Sequence, residues 1–362
     1  MLVRAATTVA RLQTEVREYP FPEVTPDAGL LQVEAAGVCG SDWRVYNSDG
    51  PVRIMGRQSV GRIFRVGPIA AKRWGVAEHD RVLIDEYLAC GHCRSCHSGD
   101  HRFCERTVAQ RPDPLRYGSI PLSEAPGLWG GYSQFQYLHP DSVLYRVPDS
   151  IPAELAALAL PLANAFQWVL FEGGARPGKS ILIQGPGVQG LTCIAAAKAA
   201  GAAMIIVTGL TRDEKRLQVA KALGADHTID VEKENPEERV RALSGGQGVH
   251  LSIDTVGAPD TLIRAIQTAR KKGLVLLAAA PEIAPPDFEL SGLLSRSLAI
   301  RPCRGHTFEA VDLALEHLAA VRSPLYLMVT HRFKLAQVDF ALRSVGGQGA
   351  EGAIHITVLP WI

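Results

Sequence analysis

Residues 90–104, "CGHCRSCHSGDHRFC", set Cys90, Cys93, Cys96 and Cys104 in a C-x2-C-x2-C-x7-C pattern. Four thiolates on one compact loop close a tetrahedral shell around Zn²⁺ and leave no position open for a substrate, so the expected role is structural. The last spacing, and the lack of a following proline, set the run apart from the bacterial iron–sulfur pattern. His92, His97 and His101 share the loop as competing donors; with four sulfurs available they read as exposed. A second stretch, "ILIQGPGVQG", puts Gly185, Gly187 and Gly190 in G-x-G-x-x-G order behind an apolar strand and ahead of an alanine-rich helix. The first glycine permits a tight turn and the second lets backbone approach a pyrophosphate. The third lets helix and strand pack closely, while the helix N-terminus supplies partial positive charge. Gly185, Gly187, Val188 and Gly190 are therefore the expected dinucleotide cradle.

The next strand speaks to which dinucleotide. An acidic residue at its end would accept the ribose 2′-hydroxyl of NAD. "IIVTGLTRDEKR" ends instead in Gly209, followed by Thr211, Arg212, Lys215 and Arg216. A glycine removes the carboxylate that would repel a 2′-phosphate, and guanidinium groups can grip one, so NADP(H) is preferred over NAD(H). The competing reading makes these cations the solvated start of a helix, with Asp213 as the stand-in acid. A third stretch, "IMGRQSVGRIFRVG", reads as a strand between glycine turns, yet Arg57 and Gln58 stand directly after Gly56.

These residues need a scaffold, and 362 residues allow two domains. Up to about residue 150 the chain holds short β-like runs ("LLQVEAAGV", "SVGRIFRVG", "DRVLID", "YSQFQYL", "SVLYRVP") broken by Gly, Pro and Asp, the pattern of a β-barrel. After "VPDSIP" comes a helical stretch, residues 153–174, and then alternating apolar strands and amphipathic helices, which predict βαβ units on a parallel sheet. The tail returns to mixed character, with a helix in "FEAVDLALEHLAAV" and a strand in "GAIHITV". Residues 108–131, rich in Pro and Gly, read as a loop bordering the substrate pocket.

A net charge of +1 with no basic run argues against nucleic acid or an anionic membrane as partner. The N-terminus lacks an apolar h-region, and no run of about 18 apolar residues suggests a span. Cysteines gathered at one metal loop suit a reducing compartment, so the cytoplasm is the expected location.

The β domain with its cysteine lobe, followed by a nucleotide-binding half, resembles the zinc-containing medium-chain dehydrogenase/reductase family. "GVCGSD" (37–42), "GDHRFCE" (99–105), "GPGVQG" (185–190) and "AKALGADHTID" (220–230) carry the likeness. It implies an α/β plus β fold. A GroES-like β-barrel catalytic domain (1–160 and 303–362, zinc lobe about 88–106) would hold an inserted Rossmann domain (161–302), a doubly wound parallel sheet. It also implies a small-molecule substrate and homodimers or homotetramers. In the family a catalytic zinc is held by a cysteine, by a histidine in a G-H-E stretch, and by a later Glu, Asp or Cys. Here the cysteine falls on Cys39, the G-H-E stretch on Gly56-Arg57-Gln58, and the third ligand on Leu160 in "LPLANA".

Arginine does not give up its proton to a metal and leucine has no donor, so the expectation is one structural zinc and no catalytic zinc. Oxidising an unactivated alcohol then becomes hard. Reduction of a carbonyl or a conjugated C=C remains open, with Arg57 stabilising developing negative charge and Ser41, in the family's proton-relay position, delivering the proton. An anionic substrate gripped by Arg57 would also fit. Cys39, Trp43, Gln58 and Leu160 are the expected pocket residues. The dull competitor for Arg57 is an ion pair with Asp42. Two other function classes stay open: a dehydrogenase that recruits metal through unrecognised ligands, and a dinucleotide-binding protein without turnover.

Overall fold

The computed structural model describes residues 2–107, 115–279, 290–320 and 324–362; of the loop read at 108–131, residues 108–114 lie outside this set. The chain forms two compact units, one of residues 1–160 with 307–362 and one of residues 161–306.

The first unit opens with β1 (Leu2–Ala10), β2 (Gln13–Pro20), β3 (Gly29–Val38), β4 (Arg53–Ile54), β5 (Gln58–Val66), β6 (Arg81–Ile84), β7 (Phe135–Leu138) and β8 (Leu144–Arg146). The second unit contributes β9 (Ser180–Gln184), β10 (Met204–Gly209), β11 (His227–Asp230), β12 (Val249–Asp254), β13 (Ala269–Leu277) and β14 (Ala299–Pro302). The chain then returns to the first unit for β15 (Val329–Phe333) and β16 (His355–Val358).

In the first unit β2-β1-β4 make a small sheet, and β15-β16-β3-β5-β6-β8 make a larger one with β7 paired to β3. Antiparallel pairing sets Gly37 of β3 between Gln58 of β5 and Thr357 of β16. Directly opposed residues share a face, so that row fixes what meets beside the site. Leu30, Leu31, Val33, Ile63, Val82 and Ile356 are fully buried and anchor the core, each stabilising by roughly 1.5–3 kcal/mol relative to exposure.

The second unit is a parallel sheet in the order β11-β10-β9-β12-β13-β14. Its central strands read as unbroken apolar runs because helices cover both faces; Ile181–Ile183 and Ile205–Val207 have no exposed surface. The helical stretch 153–174 divides into Ala153–Ala156, Ala159–Ala165 and a π-helix, Phe166–Glu172. Ala153–Glu172 has the length and hydropathy of a membrane span, but 78% of it is buried inside the protein, as in a core helix. The second compact unit runs from Pro161 to His306. Gly305 O accepts from Trp168 Nε1 and His306 Nδ1 bonds Asn164 Oδ1, which ties residues 303–306 to the nucleotide-binding unit.

Candidate active site

The cysteine lobe gathers its four sulfurs. Sγ atoms of Cys90, Cys93, Cys96 and Cys104 all lie within 4.8 Å of one another. Cys96 Sγ lies 3.6 Å from Cys93 Sγ and 3.9 Å from Cys90 Sγ, close to the roughly 3.8 Å edge of a tetrahedron with Zn–S bonds of about 2.3 Å, so the donor set fits a structural zinc. Of the competing histidines, His101 is buried rather than exposed: it bonds Asp85 at 3.2 Å and stacks on Phe308. It serves the packing beneath the lobe.

The substituted site lies where β3 ends and β5 begins. Cys39 is the N-cap of helix Gly40–Tyr46, and Asp42, three residues on, accepts from the Cys39 N–H at 3.0 Å. This local turn collects the functional side chains. Asp42 Oδ2 also accepts from Cys39 Sγ (3.0 Å) and Tyr132 OH (3.0 Å), while Ser41 Oγ lies 2.8 Å from Cys39 Sγ. Burial first, and the Asp42 charge second, push the Cys39 thiol up to about 12, so it keeps its proton. The same two causes raise Tyr132 well above its ordinary range.

Gly56 turns the chain at φ +95°, with its missing side chain facing the Tyr132 ring, and so delivers Arg57 into the same cluster. Arg57 Nε lies 3.3 Å from Asp42 Oδ1 and Nη1 donates to Glu86 Oε2 at 3.2 Å. Burial works against the guanidinium charge, but the two carboxylates outweigh burial and push its pKa up. By distance Arg57 pairs with Asp42, as the competing reading expected, and Glu86 joins the pair. Nη2 meets no acceptor among the described residues. Leu160 is 3% exposed and apolar. Trp43 is a packing residue, its ring lying where a methyl on Gly346 would be, against the core. Beyond the lobe, no other group of three metal-ligating side chains converges among the described residues.

In the second unit the glycines meet their geometric demands. Gly185 has φ +91°, and a methyl on Gly190 would lie 1.9 Å from Gly185 O. A methyl on Gly187 would meet nothing, so the face over this N-cap of helix Val188–Ala199 is open to a pyrophosphate. At the end of β10 the arrangement is more acidic than the sequence suggested. Thr211 N donates to Glu232 (2.7 Å) and Thr211 Oγ1 to Asp230 (2.8 Å), while Arg216 pairs with Asp213 (3.3 Å). Arg212 is exposed with no acidic partner among the described residues. Glu86, Tyr132, Asp230 and Glu232 were given no role in the sequence reading.

Residues 25–149 match the family model "alcohol dehydrogenase GroES-like domain", and residues 189–320 match "zinc-binding dehydrogenase". The "probable alcohol dehydrogenase adh" of Mycobacterium tuberculosis is 34% identical over 96% of this chain and 95% of its own. L-threonine 3-dehydrogenase of Pyrococcus horikoshii is 30% identical over 88% of each chain. Among solved structures, a zinc-binding dehydrogenase from Sinorhizobium meliloti 1021 bound to NADP shares the fold (TM-score 0.83, 23% identity, 99% of this chain and 100% of that one). The glycine cradle, the sulfur cage and these relatives make the chain an alcohol dehydrogenase-like oxidoreductase, a member of the zinc-type medium-chain dehydrogenase/reductase family.

Proposed function

We propose that this oxidoreductase reduces a carbonyl, or a C=C conjugated to one, at the expense of NAD(P)H, with zinc in the cysteine lobe alone. The observation that carries the reading is the clamp on Arg57, held by Asp42 and Glu86 in the slot of a metal ligand. One cysteine beside a guanidinium and an aliphatic chain falls short of the three protein ligands a catalytic zinc takes.

The nicotinamide, when bound, supplies the hydride. The protein's task is to meet negative charge developing on the substrate oxygen, and Arg57 Nη2 is the donor left for it. Two carboxylates on one guanidinium leave the trio net negative, which disfavours an anionic substrate and favours a neutral carbonyl. Ser41, half-buried and bonded to the Cys39 sulfur, is positioned as the proton donor. Gly209 and the exposed Arg212 favour NADP(H), and the NADP-bound fold neighbour is in keeping with that. Asp230 and Glu232 oppose it, so the preference over NAD(H) is modest.

The test combines metal analysis with turnover. One zinc per chain, together with NADPH oxidation by neutral aldehydes, ketones or enones that persists in chelator, is the expected result. Arg57→Ala should lower kcat by about 10²-fold or more, on the scale of losing an oxyanion donor; unchanged kcat removes the cation from the mechanism. Arg212→Ala should raise KM for NADPH about tenfold and leave KM for NADH unmoved, the scale of one charge-assisted contact.

A further inference from the structure

The turn after β10 is where NADP(H) and NAD(H) differ for this chain, and its hydrogen-bond donors are already taken. Gly209 closes β10 against the glycine turn: a methyl on it would lie 3.0 Å from Pro186 Cγ, between Gly185 and Gly187. The residues just after Gly209 therefore border the place where this fold lays the adenosine ribose. A 2′-phosphate there is gripped by N–H and O–H donors, and the turn has three of them. Each meets a carboxylate. Leu210 N donates to Asp213 Oδ2 at 3.1 Å, Thr211 N to Glu232 Oε2 at 2.7 Å and Thr211 Oγ1 to Asp230 Oδ2 at 2.8 Å.

The three carboxylates are not equivalent. Asp213 is paired with Arg216 at 3.3 Å and Asp230 with Lys233 at 2.9 Å, so each of those charges is balanced where it stands. Glu232 is exposed and has no ion pair among the described residues. Register and a local turn bring it to Thr211. Gly209 and Asp230 are partners across the parallel pair β10–β11, and Val231 N donates to Gly209 O at 3.0 Å. Glu232 N then donates back to Asp230 Oδ1 at 3.1 Å, which turns the chain toward Thr211. The Glu232 carboxylate is thus an unbalanced anion seated on a backbone N–H, as a phosphate oxygen would be.

We propose that Glu232 is the residue that discriminates between NADP(H) and NAD(H): its carboxylate holds the Thr211 N–H that a 2′-phosphate would take, and repels the phosphate's charge. The assignment rests on the cofactor site proposed above and sharpens it. Arg212, exposed and without an acidic partner among the described residues, is the attraction on the same turn. Glu232 is its counterweight, and a 2′-phosphate reaches Thr211 N only by displacing it. The ribose of NAD(H) carries a neutral hydroxyl there and meets no such repulsion. Because Glu232 is exposed, it swings into solvent without burying its charge, so the turn admits both cofactors and merely weights them.

Equilibrium binding of NADPH and NADH to the full chain, followed by nicotinamide fluorescence with no carbonyl substrate present, tests it. Glu232→Gln keeps an acceptor for Thr211 N–H and removes the charge. The Kd for NADPH relative to that for NADH should fall about tenfold, the scale of one unit charge beside a phosphate at a protein surface. Glu232→Ala, which also frees the N–H, should lower the ratio at least as far, and both changes should shrink at high salt. A ratio that stays within about twofold of wild type in both variants overturns the assignment, as does a shift toward NADH. So does a crystal structure of the NADP complex in which Glu232 still accepts from Thr211 N. The ratio of variant to wild type decides the question whichever cofactor the wild type favours. Failure of the reductase reading shows instead as absent turnover, which leaves these binding ratios readable.

Discussion

Two cysteine-bearing regions of the same unit put sulfur to opposite uses. In the 90–104 loop four sulfurs converge within 4.8 Å, and each can become a thiolate once a metal shares the charge. At the Cys39 pocket one sulfur faces a carboxylate and a hydroxyl, and the place opposite holds a guanidinium already bound by two acids. A cysteine's chemistry is set by what gathers around it. More sulfur makes a metal cage, whereas burial and a neighbouring carboxylate favour the protonated thiol at Cys39.

The largest expected effect separates the two regions by metal content. Elemental analysis should give one zinc per chain, and Cys104→Ser should lose it together with the folded lobe. Structural zinc sites contribute on the order of 10–16 kcal/mol of apparent binding free energy, so little of the lobe should survive without the ion. Cys39→Ser should keep the zinc. Two zincs in the wild type, or zinc lost with Cys39, would break the contrast.

Thiol reactivity is the next lever. With its pKa near 12, Cys39 holds little thiolate at pH 8. Iodoacetamide should modify it about 10³-fold more slowly than an ordinary exposed thiol. The sign is set by the raised pKa: the rate should climb tenfold per pH unit while the protein stays folded. Peptide-resolved mass spectrometry measures this apart from the lobe cysteines, and rapid alkylation at pH 8 would show an accessible thiolate instead.

The lobe was legible because its four donors lie within one short loop, where spacing alone states the geometry. The glycine turn was legible for the same reason, since Gly185, Gly187 and Gly190 lie within one short stretch. The pocket around Arg57 was legible only by what it lacked. Glu86 follows β6, which pairs with β5, and Tyr132 precedes β7, so both reach Arg57 and Asp42 through sheet register rather than sequence spacing. The acids facing Thr211 escaped likewise: Asp230 ends β11, laid beside β10 by a parallel crossover. His101 was misplaced because a histidine in a metal loop looks like a solvent-facing donor, and only the fold shows Asp85 and Phe308 closing over it.

Stability probes the guanidinium clamp directly. Arg57→Met removes the cation and leaves a buried Asp42 and a partly buried Glu86 without their partner, which should destabilise by about 3 kcal/mol in urea unfolding. Adding Asp42→Asn to that variant should recover part of the loss, since one uncompensated charge goes with it. A neutral Arg57→Met would mean that the carboxylates are solvated and the clamp contributes nothing.

The smallest effect divides the two causes that hold Cys39 protonated. Burial is the larger and the Asp42 charge the next. Asp42→Asn removes the charge but keeps size and surroundings, so the thiol pKa should fall by about one unit and alkylation at pH 8 should quicken about tenfold. That leaves most of the 10³-fold retardation in place, because desolvation of the sulfur persists. Recovery of the full rate would show that charge alone protects the thiol. The pocket would then be polar enough to support a thiolate, and the chemical distance between Cys39 and the sulfurs of the lobe would shrink to one carboxylate.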